Sequence, residues 1–140
     1  MARTIAKIMG IVFILVGVIG FLAPGLLGMH LSLAHNIVHL VSGALALYFG
    51  YSGTLSGARL FCIVFGVVYG LLGVAGFLLG GAGDHGVAGV PAHGADSSLF
   101  RALPGSLELA SMDHIVHILL GLVFLIGGFL TRADLDRAVD

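Results

Sequence analysis

Seven histidines stand in a chain that carries few other ionisable groups, and four of them are spaced as side chains that act together. His35 and His39 are four residues apart and His114 and His117 three apart, so within each pair both rings fall on one helical face. Imidazole suits Zn, Cu and Ni, and the thioethers of Met29 and Met112 close to these pairs favour Cu(I). A divalent or copper ion held by His35, His39, His114 and His117 is one reading, with Asn36 or Asp113 orienting the rings. A second is haem b, with His39 and His117 as axial ligands and Gly43 and Gly121, one turn further along, leaving room for a flat macrocycle. The third is structural: His35, Asn36, His39, Asp113, His114 and His117 form a polar belt that caps helix starts and hydrogen-bonds across the molecule. His30, His85 and His93 read as loop residues, and Asp84 and Asp96 as solubilising charges.

The elements that must position these side chains follow from where charge is missing. Only 9% of the 140 residues are charged and 59% are apolar, far from the roughly 25% charge of a soluble domain. No Asp, Glu, Lys or Arg lies between Lys7 and Arg59, between Arg59 and Asp84, or between Asp113 and Arg132. Crossing hydrocarbon takes roughly 20 apolar residues, and in lipid every backbone amide must be paired within the chain. These intervals therefore predict transmembrane helices near 5–23, 35–52, 59–80 and 111–131. Ile8–Ala23 is long for the apolar core of a signal peptide and no A-x-A site follows it, so it is read as the first span. Glu108 is expected at the outer edge of the fourth helix, and Leu99–Leu103 along the interface with Arg101 reaching the headgroups. The Gly-rich segment 80–96 is expected to be open to proteases.

Four spans put both termini and the 53–58 turn on one side. That side carries Arg3, Lys7, Arg59, Arg132 and Arg137, against Arg101 alone on the other, so the positive-inside rule places both termini in the cytoplasm of a bacterial inner membrane. All seven histidines then belong to the outer side.

Two segments are alike. Gly10-Ile-Val-Phe-Ile-Leu-Val-Gly17-Val-Ile-Gly20-Phe-Leu22 matches Gly66-Val-Val-Tyr-Gly-Leu-Leu-Gly73-Val-Ala-Gly76-Phe-Leu78 without a gap. Ile-Val-His-x-x-x-Gly, ending at Gly43, recurs ending at Gly121, and Leu31-Ser-Leu33-Ala34 echoes Leu107-Glu-Leu109-Ala110. The expected fold class is all-α: one domain, 1–140, a four-transmembrane-helix bundle made of two parallel-repeat helical hairpins, 3–52 and 59–131, with an external Gly-rich loop at 81–106. Small residues spaced three and four apart on each helix would let the backbones pack closely.

The His-Asn-x-x-His-x-x-x-Gly block and its Asp-His-x-x-His-x-x-x-Gly copy resemble a bacterial family of small four-helix membrane proteins of unknown function. The resemblance runs from about Lys7 to Leu130, departs in the 81–96 segment, and brings no catalytic residues.

Enzyme signatures are missing. There is no Gly-x-Ser-x-Gly, P-loop or His-Glu-x-x-His, and Glu108 is the only Glu. A net charge of −1 without basic clusters excludes a nucleic-acid partner. The single Cys62 reads as a small buried hydrophobe. The expected function is that of a non-enzymatic structural or accessory subunit in the lipid bilayer, within a membrane protein complex or homo-oligomer. The alternative is a haem- or metal-binding (Cu/Zn) accessory of redox or transport machinery.

Overall fold

A computed structural model describes residues 1–84 and 95–132. Four helices dominate it: α1 (Ala2–Gly20), α2 (Leu33–Tyr51), α3 (Leu55–Leu79) and α4 (Ser111–Phe129). Each is long and apolar enough to cross a membrane, which makes the chain a multi-pass membrane protein. A 19-residue helix is about 28 Å long, close to the roughly 30 Å of a hydrocarbon core. Leu15, Val41, Leu71 and Leu119, one from each helix, are exposed on the outward faces, as lipid-facing side chains must be.

The helix starts follow from local chemistry. Ser32 caps α2 by accepting from the His35 amide at 3.3 Å, and Thr54 caps α3 by accepting from Gly57 at 3.0 Å. The Thr54 cap starts α3 a turn earlier than the charge at Arg59 suggested. Asp113 caps α4, its Oδ2 accepting from the Ala110 amide at 2.7 Å.

Helix α1 packs chiefly on α2, and α3 chiefly on α4. Glycines set both approaches. A methyl group on Gly10 would strike Leu47 and one on Gly17 Leu40; one on Gly66 would strike Leu125 and one on Gly73 Ile118. Gly20 lies against Asn36 and Gly76 against His114, while Gly50 faces the Arg3 carbonyl and Gly128 the Arg59 carbonyl. Each of these four glycine contacts between α1 and α2 thus has a counterpart between α3 and α4 at the position the sequence alignment pairs with it. Between the hairpins, Phe13, Ala46, Phe61, Cys62, Tyr69 and Phe124 are buried in a shared core, with the Phe13 and Tyr69 rings stacked at 5.3 Å.

One expectation fails. The segment read as a loop contains strand, so the fold is not purely helical. β1 (Gly81–Gly83), β2 (Asp96–Leu103) and β3 (Leu107–Leu109) form an antiparallel sheet in the order β1-β2-β3. Arg101 stands in this sheet, where its Nε lies 3.3 Å from Glu108 Oε1 across the β2–β3 pair. Glu108 is accordingly a buried strand residue and not part of the fourth helix. Asp96 is more than a solubilising charge: it accepts from the Ser111 amide and, at 2.6 Å, from the Ser111 hydroxyl, tying β2 to the start of α4. His85, His93 and most of the expected protease-sensitive segment lie outside the described residues.

Candidate metal centre

The N-terminal ends of α2 and α4 carry the histidines, and the two ends are joined through His30. Asp113 Oδ2 accepts from the His30 amide at 2.9 Å, and the His30 carbonyl lies 2.8 Å from His35 Nδ1. A carbonyl only accepts, so Nδ1 of His35 carries the proton and its Nε2 presents a lone pair. This is the ring orientation a metal-binding imidazole takes when a backbone oxygen fixes its tautomer.

His39 lies one turn further along α2, its ring edge-on to His35 at 4.5 Å. His117 comes from α4, 5.8 Å from His35 and 5.4 Å from the Tyr69 ring. His35, His39 and His117 are all buried and each offers a ring nitrogen within 4.8 Å of the other two. A zinc–imidazole bond is roughly 2.0–2.1 Å long, so an ion held here would draw these nitrogens closer together. Both ring nitrogens of His39 and Nδ1 of His117 are buried with no hydrogen-bond partner. Leaving a buried polar atom unpaired costs on the order of 1–3 kcal/mol, so three of them at one point need an explanation.

The remaining residues singled out in the sequence lie elsewhere. His114 does not join the triad. Its Nε2 donates to the Ser98 carbonyl at 2.6 Å and its ring packs over Gly76 and edge-on to Phe77, so it fastens β2 to α4. Gly43 and Gly121 are not beside an open slot. A methyl on Gly43 would meet Ile14 and the Gly10 carbonyl at 2.8–2.9 Å, and one on Gly121 the backbone of Gly66 and Gly70 at 2.7–2.9 Å. Both glycines serve close helix approach, and the space imagined for a macrocycle is filled by the neighbouring helix. Asn36 donates to the Leu31 carbonyl at 3.3 Å and sits against Gly20, away from the triad. Met29 is buried and lines a cavity with His39, whereas Met112 is 38% exposed.

Two residues of the site escaped the sequence reading. A cavity of about 160 Å³ opens beside the triad and is lined by His35, His39, His117, Ser42, Tyr69 and Leu109, among others. Within it the Tyr69 hydroxyl donates to Ser42 Oγ at 3.2 Å. A signal was present: at the position where the first segment has Phe13, the second has Tyr69.

Comparison with curated proteins gave no match, and comparison with solved structures gave none. The model of a family described as "Domain of unknown function (DUF4383)" matches residues 3–103, which take in His30, His35 and His39 but end before α4. The match spans well over half of the chain, and the protein belongs to this family.

Proposed function

We propose that this protein binds one transition-metal ion at His35, His39 and His117 in the outer leaflet of a bacterial inner membrane, as an accessory component of redox or transport machinery. The observation that carries the reading is the meeting of three buried imidazoles at a point where His39 has no other partner for either nitrogen. A neutral, all-imidazole donor set suits copper or zinc. Haem is disfavoured by the close helix packing at Gly43 and Gly121.

The scaffold in this reading is a bundle of two duplicated hairpins, with both termini cytoplasmic. Duplication is supported by the matched glycine contacts, Gly10–Leu47 with Gly66–Leu125 and Gly17–Leu40 with Gly73–Ile118. It is also supported by two like aromatic pairs, Phe13–His39 at 5.6 Å and Tyr69–His117 at 5.4 Å. The proposed orientation is supported by Arg3, Lys7 and Arg59 at one end of the helices, opposite the histidines. The apolar outer surface fits contact with lipid or with a second membrane protein, including another copy of the chain.

The polar-belt reading has its own support. Asp113, Asn36 and His114 are hydrogen-bonded to backbone groups of the outer loops and of β2. That reading gives each of these three residues a partner for one side-chain atom, while Asn36 Oδ1, Asp113 Oδ1 and His114 Nδ1 stay unpaired, and it gives His39 none for either nitrogen. Metal analysis of protein purified in detergent and loaded with copper or zinc separates the two. The metal reading predicts one ion per chain, lost in His39→Leu. The belt reading predicts no stoichiometric ion and only a lower melting temperature in that variant.

A further inference from the structure

Two cavities flank His39, and they correspond to each other. The first, about 160 Å³, includes Val38, Val68 and Leu72 in its walls; the second, about 170 Å³, includes Val116, Val12 and Val16. The alignment that pairs the glycines also pairs these residues one to one. His35, Phe65, Leu107 and Leu109 line only the first cavity, and Leu27 and Met29 only the second; among the positions that line both, side-chain polarity differs at two. Where the second cavity has Phe13 and Leu120, the first has Tyr69 and Ser42, hydrogen-bonded to each other. Phe13 and Leu120 show that an apolar pair satisfies packing at this position, and a buried hydroxyl pair is costlier to place than an apolar one. The hydroxyls therefore mark what the first cavity holds.

We infer that the first cavity admits a small anion, or hydroxide, as the fourth ligand of the ion held by His35, His39 and His117, with Ser42 donating a hydrogen bond to it. The inference rests on the metal reading above and adds the ligand class and the side from which it comes. All three histidines line the first cavity, and of the three only His39 lines the second. Tyr69 donates to Ser42, which leaves the Ser42 proton for a ligand. Three protein donors with a fourth position open is the arrangement of reactive, not structural, metal sites. Three neutral imidazoles leave the charge of a divalent ion uncompensated in apolar surroundings, and an anion at the fourth position reduces that cost. The volume decides the size: it lies below the roughly 300–1,000 Å³ of pockets for ordinary organic ligands, and a two- or three-atom species fits. Leu109 of β3 covers the outer end, while Val38 and Val68, 42% and 54% exposed, sit at the mouth between α2 and α3. Entry is thus lateral, from the lipid side.

Azide is the probe. Copper(II)-loaded protein in detergent is titrated with azide, and the azide-to-copper charge-transfer band is read. Wild type is expected to develop the band at one azide per copper. Ser42→Leu with Tyr69→Phe, which copies the second cavity into the first, should keep its copper and bind azide about tenfold more weakly, the effect of losing one hydrogen bond. Val68→Trp should keep copper and lose the band; Val12→Trp, at the matching place in the second cavity, should change neither. Copper bound without any azide band in wild type overturns this inference alone. So does equal azide affinity in the double variant, or loss of the band in Val12→Trp but not in Val68→Trp. Failure of wild type to bind copper overturns the metal reading and this inference with it.

Discussion

His35 Nδ1 lies 2.8 Å from the carbonyl oxygen of His30, and that bond fixes which nitrogen of the His35 ring is left for an ion. The same His30 residue is held by Asp113 through its amide at 2.9 Å. A carboxylate on α4 therefore orients, through the backbone of one residue, an imidazole on α2.

Asp113→Ala should consequently damage two things at once. Metal affinity should fall roughly 10- to 100-fold, the usual effect of removing a group that orients a ligand. Stability should fall by about 1–3 kcal/mol, because the amides of His30 and Ala110 both lose their acceptor. Calorimetric metal titration and thermal unfolding in detergent read the two effects separately. A stability loss with unchanged metal affinity would detach Asp113 from the site.

His114 gives the opposite pattern. It ties β2 to α4 through Ser98 and packs over Gly76, outside the triad. His114→Ala should lower the melting temperature and expose the 96–109 hairpin to added protease, while metal stoichiometry stays at one. Loss of the ion in this variant would show that the donor set has been misassigned.

Glycines test the helix packing. Gly121→Ala would drive a methyl into the α3 backbone and should cost about 1–3 kcal/mol. Gly70 has nothing within 4 Å of where its methyl would go. Gly70→Ala should therefore be neutral, or stabilising by up to about 1 kcal/mol through helix propensity. Equal effects of the two substitutions on thermal stability would contradict the packing described here.

Much of this was legible in the sequence, and the failures share a physical cause. The four spans could be read because missing charge over a bilayer's width is a direct consequence of solvation. The matched glycines were legible because close helix approach allows no side chain. The triad was half legible: spacing put His35 and His39 on one face, but could not show that the β2–β3 hairpin would take His114 away from His117. That hairpin was missed because Gly81–Gly83 and Leu107–Leu109 are too short to show an alternating pattern. Arg101, read as reaching the headgroups, and Glu108, read at the edge of the fourth helix, neutralise each other only once β2 and β3 pair. Gly43 and Gly121 were read toward a cofactor because spacing tells which face a residue occupies and not what fills the space beside it.

Topology has its own test. With Cys62, which is buried, replaced by Ala, a single cysteine introduced at Ser106 should react with a membrane-impermeant maleimide on intact spheroplasts. A cysteine at Gly57 should react only after the membrane is opened. The reverse pattern would invert the orientation drawn from Arg3, Lys7 and Arg59.

The most direct measurement is the extended X-ray absorption fine structure of the zinc-loaded protein at the metal edge. The account predicts three imidazole nitrogens at roughly 2.0–2.1 Å with one further light ligand, falling to two imidazoles or to no bound zinc in His117→Ala. A spectrum of oxygen ligands alone, or one unchanged by replacing His117, would contradict a metal centre at His35, His39 and His117.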